Sequence, residues 1–148
     1  MPPALEQTLL GRYEAYWDAV YAAGDPGGGQ PADPEDPALA AATMDPQLPA
    51  TQAFLTTLRD QGQVLRGRPT TAPTVLAVLD YDQLGVVTDC VIDIEGSGVF
   101  DAATGAAIDP TAAGTSTPVT AELRLADATW KTSNLEIVEG RTCAQSDG

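Results

Sequence analysis

The sequence predicts a single α+β domain, and two observations carry that expectation. Apolar residues recur at helical spacing in the first part of the chain, up to about Gln63, whereas strand-like stretches separated by turns and one long loop occupy the part from about Thr70 to Val138. Helices first and an antiparallel meander afterwards is the order of an α+β protein, not of a doubly wound one. A chain of 148 residues is long enough to bury one proper core.

From Ala4 to Ala23, Leu5, Leu9, Tyr13, Tyr16, Trp17 and Val20 fall three or four apart and form one stripe of an amphipathic helix. Pro3 suits its first turn, Glu6 its positive end and Gly24 its C-cap. Tyr13, Tyr16, Trp17 and Tyr21 place half of the chain's aromatic residues here. Such rings either wall a ligand pocket or lie buried across a sheet.

Asp25–Pro37, DPGGGQPADPEDP, has three consecutive glycines and four prolines, which predicts a flexible acidic surface loop. Asp33, Glu35 and Asp36 lack the ordered oxygen spacing of a calcium loop, so no metal is expected there. Asp36-Pro37 then opens a second helix through Ala38–Ala42. Asp45-Pro46 opens a third, to about Gln63, with Leu48, Phe54, Leu55, Leu58 and Val64 as its buried stripe. Gly62, Gly67 and Pro69 end it. The basic group Arg59, Arg66 and Arg68 is either an anion site or a set of helix-dipole partners.

Val75–Leu79 is apolar on both faces, as in an interior strand, and Asp80–Gly85 is a polar turn. In the next strand Val86, Thr88, Cys90, Ile92 and Ile94 share one face, and Val87, Asp89, Val91 and Asp93 the more polar other. If Cys90 belongs to the inner face, Asp89 points away from any pocket. Glu95–Gly98 is a glycine-rich turn without the GxGxxG pattern, because Asp101 stands where the third glycine would be. Val99-Phe100 fits an edge strand and Asp101–Pro118 a long small-residue loop. Val119–Leu125 and Trp130–Val138 are two further strands around Asp127-Ala128, the last ending near Gly140 and Cys143. The expected architecture is three helices on a curved antiparallel sheet of about four strands, with a disordered tail after residue 143.

Composition narrows the chemistry. Net charge is −14, from 21 acidic against 7 basic residues, which disfavours nucleic acid and anionic lipid as partners. No histidine is present. The histidine-based nucleophile pairings and the commonest metal ligand are thereby excluded. The longest apolar run is about half a dozen residues against the ~20 that span a bilayer, so no membrane insertion by this segment is expected. No signal peptide is visible, since Met1-Pro2-Pro3 leads straight into the helix.

No CxxC motif exists, so the two cysteines leave a structural disulfide or two free thiols, Cys90 buried and Cys143 exposed. In a curling sheet the two places are neighbours, and the disulfide is the expectation, with the oxidising compartment it implies. Closing a loop of 143 − 90 = 53 positions stabilises by about 4 kcal/mol through chain entropy.

Together the helix order, VTDCVIDIEGSGVFDAATG and TPVTAELRLADATWKTSNLEIVEGRTC resemble small secreted proteins and lipoproteins of actinobacteria with the NTF2-like, or cystatin-like, α+β cone. The carrying motifs are Asp89-Cys90, the D-x-x-TG loop from Asp101 to Gly105, Trp130-Lys131-Thr132-Ser133 and Cys143. Six arginines against one lysine fit a GC-rich source. The resemblance covers nearly the whole chain and implies one NTF2-like domain over residues 1–148, secreted or lipid-anchored in the full-length protein. Enzymes of the wider superfamily, among them isomerases and cyclases, use an Asp base or a Tyr/Asp donor pair inside the cone. In this chain the candidate pocket is Tyr13, Trp17, Tyr21, Asp80 and Trp130, with Cys90 and Cys143 as the disulfide. The expected function is a non-catalytic extracytoplasmic domain, without cofactor, that binds a protein or small ligand at the cell envelope. A small isomerase or cyclase using a pocket carboxylate is the alternative, and the resemblance also implies possible homodimers through the exposed sheet face.

Overall fold

The computed structural model describes residues 2–138, 142 and 143. Three helices precede seven strands: α1 Pro3–Gly24, α2 Pro37–Ala42, α3 Gln47–Asp60, β1 Gln63–Arg66, β2 Thr74–Leu79, β3 Leu84–Ile92, β4 Gly98–Asp101, β5 Ala107–Pro110, β6 Ser116–Ala126 and β7 Thr129–Ile137. All strand pairs are antiparallel, in a four-stranded sheet of order β2-β3-β6-β7 and a three-stranded one of order β1-β4-β5. The α+β class is as expected. The single sheet of about four strands is corrected to two sheets.

Helix α1 buries the predicted stripe, with Leu9 and Tyr13 fully enclosed and Tyr16, Trp17, Val20 and Ala23 beside them. They meet Val87 and Val91 of β3 and Val119, Ala121 and Leu123 of β6 in one core. Each such large side chain contributes about 1.5–3 kcal/mol by leaving water. Gly24 closes the helix where a side chain cannot fit, because a Cβ there would lie 2.9 Å from Leu65 Cβ. The following loop is tied down by Ala32 N donating to Gln63 O and Asp33 N donating to Ala23 O. Asp36 caps α2 by accepting from Ala38 N at 2.9 Å.

Four features differ from the sequence reading. The third helix stops at Asp60, because Gly62 takes a left-handed φ of 69° and turns the chain into β1. Val64, read as part of that helix, is instead the buried residue of β1. The segment read as a long loop after Asp101 contains β5 and the start of β6. Val99 and Phe100 lie in β4, which is the centre of the small sheet rather than an edge.

The parity of β3 is also settled. Val87, Asp89 and Val91 are buried toward the helices, and Cys90 is on the opposite face. There Cys90 bonds Cys143, with S–S 2.00 Å and Cα–Cα 5.8 Å, and Cys143 N donates to Ser116 Oγ on β6. The expected tail after residue 143 and the strand end at Gly140 lie outside the described residues.

Candidate functional site

Between α1, α3, β1 and β7 lies a cavity of about 320 Å³, lined by Tyr16, Trp17, Val20, Tyr21, Gln47, Ala50, Thr51, Phe54, Leu65, Leu135 and Ile137. No charged side chain lines it. Helical spacing sets its walls: Tyr16, Trp17, Val20 and Tyr21 lie on one face of α1, and Gln47, Ala50, Thr51 and Phe54 on one face of α3. Trp17 stands edge-on to Tyr16 (5.7 Å between centroids) and stacks with Tyr21 at 6.3 Å, so the aromatic wall is held by its own contacts. Phe54 and Ile137 are 46% and 48% exposed, which marks the mouth as apolar.

Most polar groups of the lining are engaged with each other or with the sheet. Gln47 Nε2 donates to the Tyr16 hydroxyl at 3.1 Å and to Thr51 Oγ1 at 3.2 Å, while Gln47 Oε1 accepts from Leu135 N at 3.0 Å. Burial raises the Tyr16 pKa against the opposing effect of those two partners. Tyr21 is pushed up to about 12, first by burial and then by the Asp93 charge. Both hydroxyls therefore stay protonated at neutral pH.

A second polar cluster sits beside this cavity but is not part of it. The Tyr13 hydroxyl donates to Asp89 Oδ2 at 2.5 Å, and Ala72 N donates to Asp89 Oδ1 at 2.7 Å. Burial and that carboxylate hold the Tyr13 pKa far above its ordinary value. Tyr13 is fully enclosed and absent from the lining, so this Tyr–Asp pair joins α1 to β3 and to the segment before β2. The same segment is clamped by Arg68, which bonds the carboxylates of Glu14 and Asp18, and by Thr71 Oγ1 donating to Glu14 Oε1 at 2.7 Å. Desolvation lowers the Arg68 pKa, but the two carboxylates outweigh it and the net shift is upward.

Of the residues predicted for a pocket, Trp17 and Tyr21 line the cavity. Tyr13 is in the core beneath it. Trp130 is buried on β7, where its carbonyl accepts from Arg12 Nε at 3.0 Å. Asp80 belongs to neither strand nor pocket: it starts an exposed turn at φ 57° and pairs with Arg124 at 3.6 Å. Arg59 and Arg66 form ion pairs with Asp60 and Asp25, so these two and Arg68 make no shared anion site. The sequence reading missed Gln47, Ala50, Thr51, Leu65, Leu135 and Ile137. The i, i+4 pair Ala50–Phe54 opposite a tyrosine-rich helix was the available signal, and Gln47 offered none. Among the described residues no group of three or more His, Cys, Asp or Glu could hold a metal ion, and no helix is long and apolar enough to cross a membrane.

These features define a small α+β domain with an apolar cavity between helices and strands. Scans of family models and of curated proteins return no match. Among solved structures, the crystal structure of the intermembrane space region of the chloroplast protein ARC6 is similar, with a TM-score of 0.58 at 12% identity, over 90% of this chain and 95% of that one. The likeness is one of fold.

Proposed function

We propose that this chain is a non-catalytic extracytoplasmic domain that binds an apolar group, from a protein or a small ligand, in the cavity between α1, α3, β1 and β7. The observation that carries the reading is the cavity lining: aromatic and aliphatic walls, no charged side chain, and a mouth flanked by exposed Phe54 and Ile137. Its volume of about 320 Å³ is at the small end for ligand sites. With Tyr16, Thr51 and Gln47 already bonded to one another, an occupant is selected by shape and apolar contact.

Three helices laid on antiparallel sheets with a cavity between them support an NTF2-like cone over residues 1–148. The disulfide and the fold likeness to an intermembrane-space region support a compartment where thiols are oxidised. An isomerase or cyclase needs a carboxylate in the cavity with a donor across from it. Here the buried Tyr13–Asp89 pair is outside this lining. Asp89 borders a separate cleft with Ala72, Thr88 and Cys90, but both its oxygens are already taken by Tyr13 and Ala72 N, which argues against that alternative.

The test uses the neutral dye Nile red. Its fluorescence should rise on binding the native protein and be lost in Ala50→Trp, an exposed helical position at the mouth where the indole blocks entry. Equal enhancement by both proteins would sink the reading.

A further inference from the structure

The free edge of β7 is sealed one group at a time, and the sealing stops at the cavity. The Trp130 carbonyl accepts from Arg12 Nε, the Thr132 carbonyl from Met44 N at 3.0 Å, and Leu135 N donates to Gln47 Oε1. Beyond that point the register fixes where the backbone points. Val138 N donates to Pro118 O, so Val138 faces Pro118 as a hydrogen-bonded pair, and the pairs alternate from there. Glu136 therefore bonds β6, while Leu135 O and Ile137 N point outward at the free edge. Neither group has a partner among the described residues. They open beside the cavity, because Leu135 and Ile137 also line it.

An unpaired stretch of strand edge next to an apolar socket is the geometry of strand addition, in which backbone bonds hold an extended segment and the socket takes one of its side chains. Charge selects the segment. Acidic residues number 21 against 7 basic, and four of the basic ones, Arg59, Arg66, Arg68 and Arg124, are already paired with carboxylates. Glu136 stands exposed between the two open edge groups.

Resting on the cavity reading above, we infer that the natural occupant is an extended, basic polypeptide segment. It adds to the edge of β7 at Leu135 and Ile137 and places one apolar side chain between Trp17 and Phe54. The bound segment accepts from Ile137 N and donates to Leu135 O, and its lysines or arginines face Glu136 and the acidic surround.

The experiment presents the whole protein with a pool of short blocked peptides, leucine at the centre and every residue type at the flanks. Bound peptides should be enriched in lysine and arginine. The best of them should lose roughly tenfold in affinity when the amide facing Leu135 O is N-methylated. Ile137→Pro should weaken it to a similar degree. That substitution removes an outward N–H at an edge, where proline is tolerated, together with the Ile137 side chain at the cavity mouth. Ile137→Ala therefore serves as the side-chain control and should weaken binding less. If the proline variant does not fold, the N-methyl scan on the native protein decides alone. No enrichment, enrichment without basic residues, or indifference to N-methylation would overturn the inference. Nile red tells the two readings apart: dye binding without peptide binding removes the strand partner and keeps the cavity, and loss of both removes both.

Discussion

The Tyr13 hydroxyl donates to Asp89 Oδ2 at 2.5 Å, joining the middle of α1 to the middle of the larger sheet. Asp89 is 8% exposed and takes its second bond from Ala72 N, so the carboxylate has donors on both oxygens. Tyr13→Phe leaves one oxygen of a buried carboxylate without its donor. We expect a loss of about 1–3 kcal/mol in denaturant unfolding with an unchanged m-value. An unaltered midpoint would show that the pair does not hold α1 on the sheet.

Alkaline pH should unfold this protein through its tyrosines. Tyr13, Tyr16 and Tyr21 all have raised pKa values, chiefly by burial, and Tyr21 reaches about 12. A raised folded pKa means that the native state binds the phenolic proton more tightly than the unfolded chain. The stability this gives is complete below the ordinary value of 10.0 and is lost as pH rises through the folded values. Phenolate absorbance and loss of circular dichroism should therefore rise together above pH 10. Full ionisation of all tyrosines in a still-folded protein would contradict it.

Cutting the Cys90–Cys143 bond should cost stability without abolishing the fold. The bond closes a separation of 53 residues, which sets its entropic contribution at about 4 kcal/mol, an upper figure for most disulfides. Cys143→Ser is expected to lower the melting temperature clearly while leaving Nile red binding intact, since neither cysteine lines the cavity. Mass measured after denaturing alkylation without reductant should show no labelled thiol in the native monomer.

Two glycines with the same backbone angle should respond differently to alanine. Gly67 and Gly96 both have φ 84°. At Gly67 a Cβ would lie 2.5 Å from Ser97 Cα, whereas at Gly96 it meets nothing within 4 Å. Gly96→Ala should cost only the left-handed strain, about 1 kcal/mol. Gly67→Ala adds a backbone clash and should exceed about 2 kcal/mol. Equal midpoints for the two variants would refute the close approach.

Where burial follows periodicity, the sequence was readable. The α1 stripe, the β3 alternation and the Asp36 cap each follow from side-chain spacing or a local hydrogen bond. Strand β5 was not legible, because Ala107–Pro110 is exposed along its whole length and includes a proline, so no alternation marks it. The inner face of β3 ran against composition: Asp89 is inside because Tyr13 and Ala72 satisfy it, and those partners come from other parts of the chain. Asp80 was read as a pocket residue, but three consecutive positive φ angles, Asp80 to Asp82, hold it in the exposed turn that opens there, away from the cavity. Of the cavity, the aromatic wall was visible and the sealed edge was not, since Gln47, Arg12 and Met44 act there over long sequence separations.

The way β7 is closed off has a consequence for the newly made chain. Its edge receives Arg12 only when α1 has docked, and Gln47 only when α3 has. Until both helices are in place, the strand presents an unprotected row of amide groups to any neighbouring chain. Aggregation during refolding should therefore follow the docking of α1 and α3 more closely than closure of the disulfide, and variants such as Gln47→Ala should precipitate at protein concentrations the native chain tolerates.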